Sequence, residues 1–262
     1  MSIQDITNAA AAMNALKVRY EGFLDDADAQ IAQRQGSYDA LSGNLKGVVN
    51  SQMEFTAFVD PDTVAPTNVD GGTFLTVDAA INAAPVGAFV SVFLASGKVH
   101  ALQAAVFLKN RMVHLRKSGA GADPIMRFDP YIGSGANYLL GFSFGFGGAF
   151  RSTEIEYQIG PKLDDALPWA AQSSIFSYSN GGVAKITLEK GKVTGSDGRS
   201  VANCVNGMTV HLALFGVEFD GIIYGVSSVD SGVATISVSN FTLSNGALLN
   251  SGGTLGENLL IS

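Results

Sequence analysis

Residues 70–121 read DGGTFLTVDAAINAAPVGAFVSVFLASGKVHALQAAVFLKNRMVHLRKSGAG. Asp70-Gly71-Gly72 is turn chemistry. A short helix is predicted from Thr76 to Ala84, closed by Pro85, with Thr76 or Asp78 accepting from the free N–H groups of its first turn. Val77, Ala80 and Ile81 give that helix one apolar side. Three strand-like runs follow, Val90–Leu94, Val106–Leu108 and Val113–Leu115, each bounded by turn residues. Val90/Val92/Leu94 and Val113/Leu115 alternate at period two, so one face of each is apolar. Short strands without long helices between them stack in parallel when the chain coils round once per layer. The expected fold is therefore a parallel β-helix, with the short helix covering the open end of its core.

The same economy is legible further on. Ile186, Val210 and Ala234 fall in one column when segments are offset by 24 residues. Leu188, Leu212 and Ile236 fall in the next column, then Val193, Val217 and Phe241, and the last two segments extend the match through Phe219 over Leu243. Val90 over Val113 repeats at 23. In between, Phe142/Phe144/Phe146 and Ile155/Tyr157/Ile159 alternate with polar or small residues but keep no period. Five to seven coils are expected, with an insertion or a distorted coil near 160–180.

Upstream, residues 1–50 are the single long helical stretch. Ile6, Ala9, Met13, Leu16, Tyr20 and Phe23 recur three and four apart; Leu24, Ala27, Ile31, Arg34, Tyr38, Leu41, Leu45 and Val48 form a second series. The shift at Phe23/Leu24 is a stutter in the heptads. A stripe of this length needs a partner to cover it. The expected partner is another copy of the chain, through Ile6, Met13, Leu16, Tyr20, Phe23, Leu24, Ile31, Tyr38, Leu41, Leu45 and Val48. The rival is a helical hairpin folded on the β domain and broken near Gly36 or Gly43/Gly47. Residues 51–72 read as a linker in which Phe55, Phe58 and Val59 are expected to be buried, and 73–262 as the β-helix domain.

A capping helix, a strand, a Gly turn and then a second strand running into Ser118-Gly119-Ala120-Gly121 resemble the opening of the β-helix in bacteriophage tailspikes and tail fibres. The residues that carry the resemblance are Thr73–Ala84, Val90–Gly97 and Val113–Gly121. The resemblance implies a homotrimer whose helical stalk attaches to other tail, baseplate or fibre proteins, made in the host bacterial cytoplasm and located in the virion tail. It also implies a host surface glycan as a partner. The chain departs from glycan-cleaving tailspikes in its short β-helix and its end at Leu259-Leu260-Ile261-Ser262, which favours a short or proximal fibre. A β-helical polysaccharide depolymerase or lyase is the second expectation, and a capsid-surface fibre the third.

Composition bounds the alternatives. The chain has 262 residues, 47% hydrophobic and 15% charged, with 31 glycines, as expected of a turn-rich β protein. A net charge of −7 disfavours nonspecific nucleic-acid binding. One cysteine, Cys204, excludes disulfide frameworks within the chain and multi-cysteine metal sites. The start lacks a basic segment followed by a continuous apolar run, so no secretory signal is expected. No apolar run is long enough to span a membrane.

Two carboxylate pairs fit glycoside hydrolysis by spacing, Glu154/Glu156 and Glu218/Asp220. Two residues apart on a strand, each pair is expected on one face, roughly 7 Å apart. Outward polar positions explain them equally well, so catalysis ranks below a structural role. Trp169, Tyr178 and Tyr224 could stack on sugar rings or simply pack. His114 and His211, each between apolar neighbours, are expected to point away from the interior. With His100 they match no zinc spacing. Asp60, Asp62, Asn68 and Asp70 fail the calcium-loop spacing because Val64 stands where a ligand is needed, so no metal and no cofactor are expected. Lys109, Arg111, Arg116 and Lys117 form a basic run expected to be a solvated edge or one half of an inter-subunit charge match. Gly133-Ser134-Gly135 and Gly145-Phe146-Gly147-Gly148 lack the Lys-Ser/Thr of a phosphate loop.

Overall fold

The computed structural model describes residues 2–144, 148–170, 173–177, 182–204, 209–227, 232–250 and 259–262. It is mainly β with one long N-terminal helix, and divides into two compact units, Met1–Ser51 and Gln52–Ser262.

Helix α1 runs unbroken over Ile3–Met53. Ser2 and Asp5 cap its start reciprocally: the Asp5 N–H donates to Ser2 Oγ (3.3 Å) and the Ser2 N–H to Asp5 Oδ2 (2.8 Å). The hairpin expectation is corrected, because none of Gly36, Gly43 and Gly47 breaks the helix. Each glycine costs about 1 kcal/mol relative to Ala, but its φ/ψ remain helical and no side chain crowds it.

The second unit is built from three ladders of parallel strands. The first is a sheet of nine strands that starts from Gly72–Phe74 and Glu54–Val59. It continues through Phe89–Ala95, Met112–Ser118, Ala149–Thr153, Val183–Glu189, Thr209–Phe215, Val233–Ser239 and Leu259–Ile261. Every neighbouring pair is parallel. The other two ladders merge into one sheet because the long strands Lys192–Asn203 and Glu218–Ser227 belong to both. The chain thus returns to the first sheet once per layer. Residues 51–72, expected as a linker, contribute the core strand Glu54–Val59. From Phe89 onward the first sheet has seven strands, within the five to seven layers expected, and Glu54–Val59 and Gly72–Phe74 extend it at the N-terminal end.

Alternation decides what faces inward. Val90, Val92 and Leu94 are buried, as are Val113 and Leu115, Ile186 and Leu188, Leu212 and Leu214, and Ala234 and Ile236. In the middle layers the interior is aromatic: Phe142 stacks on Phe176 (5.6 Å between centroids) and tilts against Phe150 (4.8 Å), and Phe128 stacks on Tyr157 (5.9 Å). Phe55 and Val59 are buried as expected, but Phe58 is 41% exposed on the outer face, stacked on Phe93 at 5.2 Å.

Helix α2, Val77–Ala83, lies where the sequence places it, with Thr76 Oγ1 accepting from the Ala79 N–H and Val77, Ala80 and Ile81 buried. Its C-terminal end is held by a residue the sequence reading assigned to a solvated edge. Arg111 is 4% exposed. Its guanidinium donates to the carbonyls of Ala84 (2.6 and 3.1 Å), Pro85 (3.1 Å) and Phe107 (3.2 Å).

The register refines the repeat. Leu212 pairs with Ile236, and Phe219 with Leu243, at the expected offset of 24. Val90 pairs with Val113 at 23. One layer earlier, however, Ala184 pairs with Val210 and Ile186 with Leu212, an offset of 26. The two additional residues lie between Gly195 and Arg199, opposite Gly221 and Ile223. There a Cβ at Gly221 would run into the Gly195 carbonyl, so only glycine fits. Because the slip is even, the inward face is preserved.

The larger irregularity is two insertions. Pro130–Gly133 and Ala136–Leu139 form an antiparallel hairpin. Its turn, Ser134-Gly135, has φ of 45° and 74°, the geometry of a tight two-residue hairpin. The other insertion, 160–170, is tied to it by Asn137, which is fully buried. The Asn137 amide donates to the carbonyls of Asp164 (2.8 Å) and Leu167 (3.1 Å), and its oxygen accepts from the Leu163 and Asp164 N–H groups.

Candidate functional site

The stripe on α1 is intact and uncovered among the described residues. Ile6, Met13, Leu16, Tyr20, Phe23, Ile31, Tyr38, Leu41 and Leu45 are each 58–72% exposed, and Leu24, at the stutter, is 44% exposed. The side chain of Val48 lies outside the described residues. Since the helix is continuous, the two heptad series run along one rod. Gly22, Gly36, Gly43 and Gly47 fall off the stripe.

The carboxylate pairs fare differently. Glu154 and Glu156 do not share a face, which corrects the strand reading. Glu154 is a corner residue with φ +60° between two strands, Ala149–Thr153 and Glu156–Ile159, which belong to different ladders. Sequence alone suggests glycine for such a corner, and the corresponding corners carry Lys190, Gly216 and Asn240, also at positive φ. Glu218 and Asp220 do point the same way, toward Lys192, and Glu218 lines a shallow groove of about 440 Å³ together with Glu156 and Lys192. Both lie near Lys192 Nζ, at 3.4 and 2.7 Å. The Lys192 ammonium and the Asn245 amide hold the Asp220 carboxyl below its usual range, and Ser244 adds a further hydrogen bond. An acid held ionised in this way is a poor proton donor.

The aromatic candidates separate as well. Trp169 packs against the core beneath the Arg199 guanidinium, 5.1 Å away, and is no free platform for a sugar. Arg199 is itself committed to the carbonyls of Ala170 and Ser173. Burial lowers its pKa to about 10. Tyr224 is half-buried, and Tyr178 lies outside the described residues. The turn carboxylates are engaged too: Asp60 accepts from the Asp62 N–H, Asp70 from the Thr56 N–H, and Asp62 pairs with Lys98.

The most organised polar cluster lies on the outer face of the first sheet, where sequence reasoning placed only scattered residues. Register sets His114 beside Arg151, and Arg116 beside Thr153, which in turn neighbours Glu189. His114 does point outward, as expected, yet is only 5% exposed because its neighbours cover it, whereas His211 is open. Arg116 Nε lies against both ring nitrogens of His114 (3.1 Å to Nδ1, 3.3 Å to Nε2), and His114 Nε2 is hydrogen-bonded to Thr153 Oγ1 (3.1 Å). The Thr153 hydroxyl donates to Glu189 Oε2 (3.2 Å), which also accepts from Arg151 Nη2 (2.8 Å). Burial, with Arg116 and Arg151 alongside, pushes the His114 pKa down to about 4, against the pull of Glu189. The imidazole is therefore neutral at pH 7 and can accept from Arg116. The signal was the two-residue spacing of His114 and Arg116, but their partners come from other layers.

No protein family, curated protein or solved structure matches this chain.

Proposed function

We propose that the chain is a structural fibre subunit that works as a homotrimer. Its N-terminal helices bundle as an attachment stalk, and the parallel strands of each copy wind as a short right-handed β-helix. The observation that carries this reading is the uncovered stripe of α1, 58–72% exposed at nine of its positions. Its three-four spacing is the pattern that left-handed helical bundles bury between copies. Right-handed winding is the form that parallel strand–crossover–strand connections take almost without exception. Following the resemblance drawn from Thr73–Ala84 and Val113–Gly121, the stalk joins other components of a bacteriophage tail. The β unit then meets the next fibre component or a glycan on the host surface. A structural role ranks above glycan cleavage because Asp220 is held ionised by Lys192 and Glu154 stands apart from Glu156.

The test is the absolute mass in solution by light scattering, for the intact chain and for a version beginning at Gln52. The intact chain is expected at three times the 27.2 kDa chain mass, and the shortened version at lower mass or in concentration-dependent exchange. A monomer in both cases refutes the stalk. Gold labelling of assembled particles then separates a tail position from a capsid position.

A further inference from the structure

The outer face of the first sheet carries a second feature that the stalk does not use. Two adjoining depressions, of about 350 and 330 Å³, share His114, Arg116 and Arg151. Around them stand four cations, Arg116, Lys117, Arg151 and Lys185, against two carboxylates, Glu154 and Glu189, on a chain whose net charge is −7. A local concentration of positive charge against the sign of the whole molecule favours an anionic ligand at that spot.

The cations are not equivalent. Lys117 is paired with Asp123 (2.9 Å) and Arg151 with Glu189 (2.8 Å). Among the described residues the terminal nitrogens of Arg116 and the ammonium of Lys185 meet no acceptor. Arg116 is nevertheless fixed in place. Its Nε is held by His114, which is tied through Thr153 to Glu189, and its guanidinium lies 6.0 Å from the centroid of the Phe93 ring. A guanidinium whose Nε is anchored and whose two terminal amino groups are open is preorganised for a bidentate carboxylate. Four register positions from Arg116, along the same face, Phe89 and Met112 are exposed and Ala149 keeps the surface low before Lys185. The site therefore has an anchored Arg, a free Lys and an apolar patch beside them.

We propose that this face binds an acidic saccharide, with a uronate-type carboxylate on Arg116, a second anionic or hydroxyl group on Lys185, and the C–H face of a sugar ring against Phe89 and Met112. An acidic peptide fits less well. In the middle of a parallel sheet every backbone N–H and C=O is already used by neighbouring strands, so a peptide backbone finds no ladder to join. Sugar hydroxyls need only side chains, and Thr187 supplies a hydroxyl on the same face. The proposal deepens the host-glycan part of the proposed function and rests on that part alone. Solution mass tests the stalk and binding tests this face, so either can fail separately.

The experiment is calorimetric titration of the intact chain with an α-1,4-linked galacturonate hexamer and, in parallel, with the neutral galactose hexamer. The acidic hexamer is expected to bind at least tenfold more tightly, with affinity falling as salt rises. Arg116→Gln is expected to weaken it about tenfold, the usual loss for one hydrogen-bonded charge. Lys185→Gln should weaken it severalfold, and Lys109→Gln, an exposed cation elsewhere, should leave it unchanged. Unfolding midpoints of the Lys185 and Lys109 variants should match the parent, and Arg116→Gln should remain folded at the titration temperature. Equal binding of the two hexamers, absence of binding, retention of affinity by Arg116→Gln, or displacement by inorganic phosphate at equal concentration would each overturn the proposal.

Discussion

Replacing Arg111 should unseat the capping helix, and the structure sets the size of the effect. Arg111 is 4% exposed, and its guanidinium satisfies the carbonyls of Ala84, Pro85 and Phe107 where α2 ends and the chain turns into the first sheet. In Arg111→Met the aliphatic packing stays and the three carbonyls lose their donor. Each buried acceptor left alone costs about 1–3 kcal/mol. Removing a cation that burial already disfavours, as its lowered pKa records, returns part of that sum. The net loss expected is about 3–5 kcal/mol, the range for breaking a buried charged network from one side. Arg111→Lys keeps the charge but offers one compact ammonium in place of a planar fork, so it should recover about a third of the loss. The assay is equilibrium urea unfolding followed by fluorescence. Trp169 is the only tryptophan and lies in the β unit, so the signal reports that unit and not α1. Amide hydrogen exchange over Val77–Ala83 should accelerate in parallel. A Met variant within about 1 kcal/mol of the parent, or a Lys variant indistinguishable from it, refutes the reasoning.

Three further outcomes are expected. Asn137→Ala removes four side-chain hydrogen bonds at a fully buried position; it should cost about 2–4 kcal/mol and open residues 160–170 to limited proteolysis before the rest of the β unit. His114 resists protonation until about pH 4 when folded, against 6.5 for the unfolded chain. Its contribution is therefore complete above pH 6.5 and is lost as pH falls toward 4. His100, buried with its pKa also lowered, acts in the same direction, and His114→Gln should flatten part of the stability curve in that interval. Gly36→Ala with Gly43→Ala meets open space and avoids the stripe, so thermal melting followed at 222 nm should show α1 stabilised by about 1 kcal/mol per site with no change in solution mass.

The period-two runs Val90–Leu94 and Val113–Leu115, and the 24-residue offset of Leu212 and Ile236, were legible because alternation and spacing are local properties, copied directly into which side chains face inward. The same holds for α2, whose cap and apolar side lie within nine residues, and for the continuous stripe of α1. What tertiary structure decided is everything that depends on which layers become neighbours. The change of offset from 26 to 24 arises at Gly195–Arg199, where only the opposing strand reveals two surplus residues. Glu154 looked like a strand residue because a single left-handed corner leaves no period to detect. Arg111 read as part of a basic run, yet its partners Ala84 and Pro85 lie more than twenty residues away. His114 and Arg116 are joined to Thr153 and Glu189 only because parallel stacking brings three layers side by side. A sequence specifies the inward face of each strand one residue at a time. The chemistry of the outer face belongs to the stack, since its contacts run across strands and not along them.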